Sequence, residues 1–159
     1  MLSRQNLPTI DRSLYAPAEG LQRGAYILSE AQGSKPDVIL VASGSEVPLI
    51  MEAQQILQAH GIGARLVSMP SWELFDRQPQ DYREAVFPPA VTARLAVEAG
   101  SPQGWEKYAG SDGELIALDH FGASAPGEVL MEKFGFTAEH VAEVAKATIE
   151  KCKEEAKHG

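Results

Sequence analysis

The chain has 159 residues and a formal net charge of −8, with 22 acidic against 14 basic side chains. This length predicts one domain with a proper core, and a composition of 44% hydrophobic and 23% charged residues excludes a disordered chain. An acidic chain without a Lys/Arg cluster is a poor candidate for binding nucleic acid or an anionic membrane.

The first elements in chain order are an irregular arm and two strands. Residues 1–24 are interrupted by prolines and glycines, which predicts a linker or arm leading into a domain over residues 25–159. Residues 25–28 predict a short edge strand. Residues 37–42 form a continuous apolar run between Pro36 and Gly44, which is typical of a strand buried on both faces.

A helix and a second core strand follow at short spacing. Over residues 46–60 the apolar side chains recur at helical period, with Ser45 predicted as the cap, Pro48 in the first turn and Gly61 at the end. Residues 64–69 predict the next strand, which Pro70 stops. Strand, helix and strand connected in this way form a βαβ unit with parallel strands.

The second half of the chain repeats the alternation less regularly. It predicts helices over residues 80–86 and 127–133, a helical turn at 105–108, and strands at 92–97 and 114–118. A final helix over residues 138–153, with Thr137 as its N-cap, has an apolar stripe made of Ala138, Val141, Ala142, Ala145, Thr148, Ile149 and Cys152. The predicted fold is therefore a three-layer α/β domain with a mostly parallel sheet of about five strands and helices on both faces.

The turn at Ser43, Gly44 and Ser45 is a candidate anion site, because it follows a buried strand and opens a helix. The segment matches neither the dinucleotide-binding glycine pattern nor a P-loop. Any strand-to-helix connection also needs a tight turn and a cap, which Gly44 and Ser45 would supply, and we favour this structural interpretation.

A second candidate is the segment over residues 119–126, where His120 follows Asp119 and could act as a general base. Adjacent residues of an extended segment point to opposite sides, and Ser124 fits equally well as a helix cap, so the dyad is the weaker interpretation. The other histidines have no ligand-like spacing, and we predict no metal site and no catalytic residues in this chain.

The compartment is predicted from the termini and the cysteine content. Cys152 is the single cysteine, which excludes an intrachain disulfide. The sequence opens without a signal-peptide pattern, and no apolar run reaches the ~18 residues of a membrane span. We therefore expect a cytoplasmic protein.

Several segments of the sequence, taken together and in order, resemble the transketolase family. Ser3-Arg4-Gln5-Asn6-Leu7 is similar to the S-R-Q-N-L segment of that family, and Ala42-Ser43-Gly44-Ser45-Glu46-Val47 is similar to its A-[TS]-G-S-E-V turn. The resemblance continues through Val67-Ser68-Met69-Pro70-Ser71, Val97-Glu98-Ala99-Gly100, Phe121-Gly122-Ala123-Ser124-Ala125-Pro126 and Phe134-Gly135-Phe136-Thr137. It spans nearly the whole chain and identifies the third, C-terminal domain of the family.

The resemblance implies a homodimeric enzyme that moves a two-carbon ketol unit from a ketose phosphate to an aldose phosphate, in the pentose phosphate pathway and the Calvin cycle. The family uses thiamine diphosphate and a divalent cation, usually magnesium, which its two upstream domains hold. No cofactor is therefore expected in this chain, whose role would be to support the remaining domains and the dimer, and the isolated chain is expected to be inactive.

The resemblance also gives Arg4 a role. The family's arginine in S-R-Q-N contacts the phosphate of the sugar substrate, and a guanidinium suits a phosphate because it can bind bidentately. Two other functions stay open: a stand-alone regulatory module that binds a small anion at residues 43–46 or 119–124, and a purely structural dimerisation unit.

Overall fold

The structure is a computed structural model that describes residues 7–33, 35–118 and 133–158. Within these ranges, five strands form one sheet: β1 Tyr26–Ser29, β2 Val38–Ala42, β3 Ala64–Ser68, β4 Arg94–Glu98 and β5 Glu114–Ala117. The helices over the same ranges are α1 Val47–Ala59, α2 Trp72–Asp76, α3 Gln80–Val86, α4 Glu106–Ala109 and α5 Ala138–His158, with short 3-10 helices at Ala18–Arg23 and Gly44–Glu46.

The strand order across the sheet is β1-β3-β2-β4-β5. The ladders β2–β3, β2–β4 and β4–β5 are parallel, and only β1 runs antiparallel, against β3 at the edge. All five residues of β2 are buried, as the apolar run over residues 37–42 predicts for a strand covered on both faces. The predicted α/β fold with a mostly parallel sheet is confirmed.

Two layers of helices bury the two faces of this sheet. On one face, α1 and α5 pack over the side chains of Leu40, Leu66 and Leu95. On the other face, α2, α3 and α4 pack over residues that alternate with those, among them Ile39 and Val67. The alternation follows from the pleat, which sends successive side chains of a strand to opposite faces.

The two long helices were predicted well because their apolar stripes are regular. In α5 the stripe from Ala138 to Ile149 is buried, and Thr137 caps the helix by accepting a hydrogen bond from the backbone N–H of His140 at 3.2 Å. The helix continues to His158, five residues beyond the predicted end, because the charged residues after 153 are good helix formers.

The structure describes the predicted arm from residue 7 onward. Its described portion contains the 3-10 helix Ala18–Arg23, and Ile10, Tyr15 and Ala16 pack against the core. The backbone N–H of Ala16 also donates to the carbonyl of Leu28 at 2.9 Å. The domain boundary after Gly24 stays a prediction, because residues before it already pack against the core.

In the described ranges, no helix is both long enough and apolar enough to cross a membrane.

Candidate functional site

The strand order creates a crevice between the carboxyl ends of β2 and β4. After β2 the chain passes through α1 to β3 on one side of β2, and it then crosses to β4 on the other side. In open α/β sheets, ligands bind where the connections diverge in this way, beyond the carboxyl ends of the strands. The predicted turn at Ser43, Gly44 and Ser45 lies at this point.

The turn has a different local structure from the one predicted. Gly44 has a positive φ of 52°, and Gly44–Glu46 form a 3-10 helix before α1 begins at Val47. The prediction that Ser45 caps α1 is wrong, because the extra turn moves Ser45 away from the first helical N–H groups. Its hydroxyl instead donates to Oε1 of Glu46 at 2.7 Å. Pro48 lies in the first turn and the helix ends at Ala59, before Gly61, as predicted.

Two glutamates with serine partners meet at this edge, and we call Ser43, Ser45, Glu46 and Glu98 the carboxyl-edge cluster. Glu98 is the last residue of β4, and its Oε2 accepts a hydrogen bond from the Ser43 hydroxyl at 2.9 Å. Glu46 is only 3% exposed, which is unusual for a glutamate. The cluster therefore places two carboxyl groups, one of them buried, in the crevice.

Burial changes the acidity of both carboxyls. It raises the pKa of Glu46; the hydrogen bond from Ser45 opposes this shift, and the negative charge of Glu98 adds to it. Burial also raises the pKa of Glu98, against the hydrogen bond from Ser43. Both groups therefore hold a proton to a higher pH than an exposed glutamate. When both are ionised they repel an anion, so the cluster's charge counts against the anion site predicted at this turn, which stays a prediction.

Comparison of the sequence with known protein families shows which family this domain belongs to. The family described as transketolase-like TK C-terminal domain matches residues 24–137 of the chain. The chain belongs to this family.

Similar proteins agree with the assignment. The chain is 53% identical over 150 residues to a transketolase of Halalkalibacterium halodurans, which covers 94% of the chain and 22% of that protein. It is 53% identical over 142 residues to a transketolase of Aquifex aeolicus, covering 89% of the chain and 20% of the relative. The chain thus spans about a fifth of the length of the curated relatives it matches.

Solved structures of the family share the fold. A point mutant of transketolase from Pichia stipitis superposes with a TM-score of 0.84 at 38% identity, covering 95% of this chain and 21% of that one. The same figures hold for a Pichia stipitis transketolase in complex with sedoheptulose 7-phosphate.

The other candidate residues from the sequence lie outside the described residues. Arg4 precedes residue 7, and residues 119–126, with Asp119, His120 and Ser124, fall between 118 and 133, as does most of the helix predicted over 127–133. In the described parts of the chain, no three metal-ligating side chains converge. We assign no metal and no reaction step to the described residues.

Sequence reasoning did not identify Glu46 and Glu98 as a pair. Both glutamates stand in segments that resemble transketolase, yet Ser43 and Glu98 are 55 positions apart in the chain. The signal that could have found them is topological, because a residue at the carboxyl end of one parallel strand lies beside the equivalent residue of its neighbour. That signal requires the strand order β3-β2-β4 to be known first.

The raised pKa values of Glu46 and Glu98 predict how the stability of this transketolase domain responds to pH. The folded state binds protons more tightly than the unfolded chain from about pH 4.5, the ordinary glutamate value, upward. The contribution of Glu46 and Glu98 to stability is therefore lost as the pH rises through this window and is regained as the pH falls. We expect Glu46→Gln to raise the melting temperature at pH 8 by roughly 2–4 °C, or about 1 kcal/mol, and to have less effect at pH 5.

The control for this prediction is Glu52→Gln, which removes an equal charge from an exposed position of α1. Thermal melts of the parent and both variants between pH 4 and 8 measure the effect. A loss of stability in Glu46→Gln that is equal at pH 5 and pH 8 would show that the carboxylate is stabilising and contradict the prediction.

Proposed function

We propose that this chain is the C-terminal domain of a thiamine-diphosphate-dependent transketolase that transfers a two-carbon ketol unit from a ketose phosphate to an aldose phosphate. The observation that carries the proposal is the match of the family over residues 24–137, together with 53% identity over 150 residues to about a fifth of a transketolase. In this proposal the arm is residues 1–24 and the domain is residues 25–159. The rest of the enzyme holds thiamine diphosphate and magnesium and performs the chemistry.

The domain's own role in the proposal is to support the enzyme's other domains and its homodimer. This role is the one that the resemblance to the C-terminal domain of the family implies. The isolated chain is then inactive, and the assembled enzyme acts on sugar phosphates in the cytoplasm, in the pentose phosphate pathway and the Calvin cycle. Neither nucleic acid nor a membrane is a partner.

A chimera tests this function with a positive readout. The segment of the Halalkalibacterium halodurans transketolase that matches this chain is replaced by the chain itself, and ketol transfer from xylulose 5-phosphate is measured. We expect activity within about tenfold of the parent enzyme, because 53% identity over 150 residues preserves the fold and its contacts. A chimera that is folded and dimeric but transfers no ketol unit would contradict the proposal.

Arg4 gives the proposal a residue-level test in the same chimera. A guanidinium that binds the substrate phosphate positions the sugar, and its loss removes a charge-assisted bidentate contact. We expect Arg4→Gln to raise KM for the ketose phosphate at least about tenfold, with a smaller change in kcat.

Two controls separate phosphate binding from damage to the enzyme. Arg77→Gln removes an equal charge from an exposed position and is expected to leave KM unchanged. A ketol donor without a phosphate group should not distinguish Arg4→Gln from the parent. Equal losses with the phosphorylated and the unphosphorylated donor would show that Arg4 does not bind the phosphate.

The alternative function is a stand-alone regulatory module that binds a small anion at Ser43, Gly44 and Ser45. The glycine turn at the end of β2 favours it, and the two carboxyls of the cluster oppose it. Binding of a phosphorylated metabolite by the isolated chain, abolished by Ser43→Ala, would support this alternative.

A further inference from the structure

A cavity lies at the other end of β4 from the carboxyl-edge cluster, between α2, α3 and α4. It has a volume of about 430 Å³, which is within the range of small-molecule sites. Its lining combines three aromatic rings, three cations and two carboxylates, from Phe75, Asp76, Arg83, Glu84, Phe87, Arg94, Lys107 and Tyr108, together with Gln80. We call it the α2–α4 pocket.

The charge of the pocket is opposite in sign to that of the chain. Three cations against two carboxylates give the lining a net charge of +1, whereas the chain carries −8. An anion that approaches this surface therefore finds a local positive site on an acidic protein.

Two of the three cations already have partners. Arg94 donates hydrogen bonds to four backbone carbonyls, at distances between 2.9 and 3.4 Å. Lys107 forms an ion pair with Asp76 at 2.6 Å, and the Tyr108 hydroxyl donates to the same carboxylate at 3.2 Å. Glu84 accepts a hydrogen bond from the Gln80 amide at 2.6 Å. These contacts leave Arg83 as the cation available to a ligand.

The backbone of Arg83 is fixed by hydrogen bonds, whereas Nε of its side chain has no partner within the described ranges. Its backbone N–H donates to the carbonyl of Pro79 at 3.1 Å, and its carbonyl accepts from the N–H of Phe87 at 2.9 Å. Among the described residues, Nε of Arg83 is the one buried side-chain nitrogen or oxygen without a hydrogen-bond partner. A buried donor without an acceptor costs free energy, which a ligand's acceptor recovers when the half-buried Arg83 side chain turns Nε toward the pocket.

The aromatic side chains of the pocket favour a ligand with a planar apolar group. Phe75 and Phe87 contact each other edge to face with ring centroids 5.6 Å apart, and Tyr108 lies 6.2 Å from Phe75 and 6.3 Å from Phe87. The three rings belong to the core and are only 3–6% exposed, so each contributes a small apolar patch to the pocket wall, against which a planar group can pack.

We propose that the α2–α4 pocket binds a small aromatic monocarboxylate, whose carboxylate accepts hydrogen bonds from the Arg83 guanidinium and whose ring packs against Phe75, Phe87 and Tyr108. A single carboxylate matches the single net positive charge, and a guanidinium binds a carboxylate in a bidentate fork. The site is independent of the proposed ketol-transfer function, and its test uses the chain by itself.

The test is a titration of the ¹⁵N-labelled chain with benzoate, followed by NMR on backbone amides and on arginine Nε–H groups. We expect the Nε–H signal of Arg83 and the amides of α3 to shift with saturation. Benzamide, which has the same shape and no charge, should bind at least about tenfold more weakly. Arg83→Gln should weaken benzoate binding by a similar factor, and Arg77→Gln, at an exposed position on the neighbouring turn, should not change it.

Each other outcome overturns the proposal. No saturable shift with benzoate would show that the pocket is not a ligand site. Equal affinity for benzamide would show that the guanidinium does not select the ligand. Tighter binding of inorganic phosphate than of benzoate would show that the aromatic rings do not contribute to ligand selection. Arg83→Lys, which keeps the charge but lacks the fork, should retain weakened binding and replaces Arg83→Gln if that variant does not fold.

Discussion

Replacing Gly24 by alanine is expected to lower the free energy of unfolding by more than about 3 kcal/mol. An added Cβ would collide with the backbone nitrogen of Phe75 and the carbonyl oxygen of Ser71. Gly24 also has a φ of +83°, which side chains rarely adopt, and its carbonyl accepts a hydrogen bond from the N–H of Ser71 at 3.0 Å. The backbone on both sides is therefore fixed, and neither segment can move away at low cost.

The matched control is Gly61→Ala. Gly61 has a similar φ of +74°, but nothing lies within 4 Å of the Cβ position. Its substitution carries only the conformational cost of the left-handed region, about 1–2 kcal/mol. Urea unfolding of the two variants measures the difference, which is the part due to the collision. Equal losses at the two positions would show that the segments joined at Gly24 are free to adjust.

The second large effect is expected for Arg94→Met, which should cost about 3 kcal/mol. The guanidinium of Arg94 donates to the carbonyls of Val91, Tyr108, Phe87 and Pro88, and it thereby ties the start of β4 to the loop after α3 and to α4. Methionine fills a similar volume and removes the guanidinium donor from all four carbonyls, of which that of Pro88 still accepts from the N–H of Val91. The loss is measured by urea unfolding at pH 7.

Two further variants show whether the loss comes from the hydrogen bonds. Arg94→Lys keeps the charge but cannot reach four acceptors from one fixed plane, so we expect an intermediate loss. Arg77→Met removes an exposed arginine and should change stability by less than about 0.5 kcal/mol. If Arg94→Met were as stable as Arg77→Met, the four contacts would contribute no net stability.

The elements that sequence predicts well are those whose pattern is local. The apolar run of β2 and the stripes of α1 and α5 are each fixed by residues close together in the chain, and the structure has them within a few residues of the predicted bounds. The helix α2, Trp72–Asp76, was not predicted, because five residues are too few to show a helical period. It depends instead on the contact of Phe75 with Tyr82 and Phe87, and on the cap that Ser71 provides.

The carboxyl-edge cluster and the α2–α4 pocket also combine features that depend on neighbouring residues with features that depend on distant ones. The turn at Ser43–Ser45 was identified because a strand, a glycine and a helix follow one another in sequence. The partnership of Ser43 with Glu98, and the absence of a partner for Nε of Arg83 among the described residues, both depend on segments distant in the chain. A local pattern indicates where a turn lies, but only the packed structure shows which polar groups meet there.

The helix α5 is the last of the described elements to be synthesised on the ribosome. This helix packs against α1 and β4 and covers Leu40 and Leu95 on the face of the central strands. When β1 through β5 have emerged from the ribosome, part of this face is still open to solvent. The nascent domain therefore remains a substrate for chaperones and for association with other chains until residues 138–158 have been made and have docked.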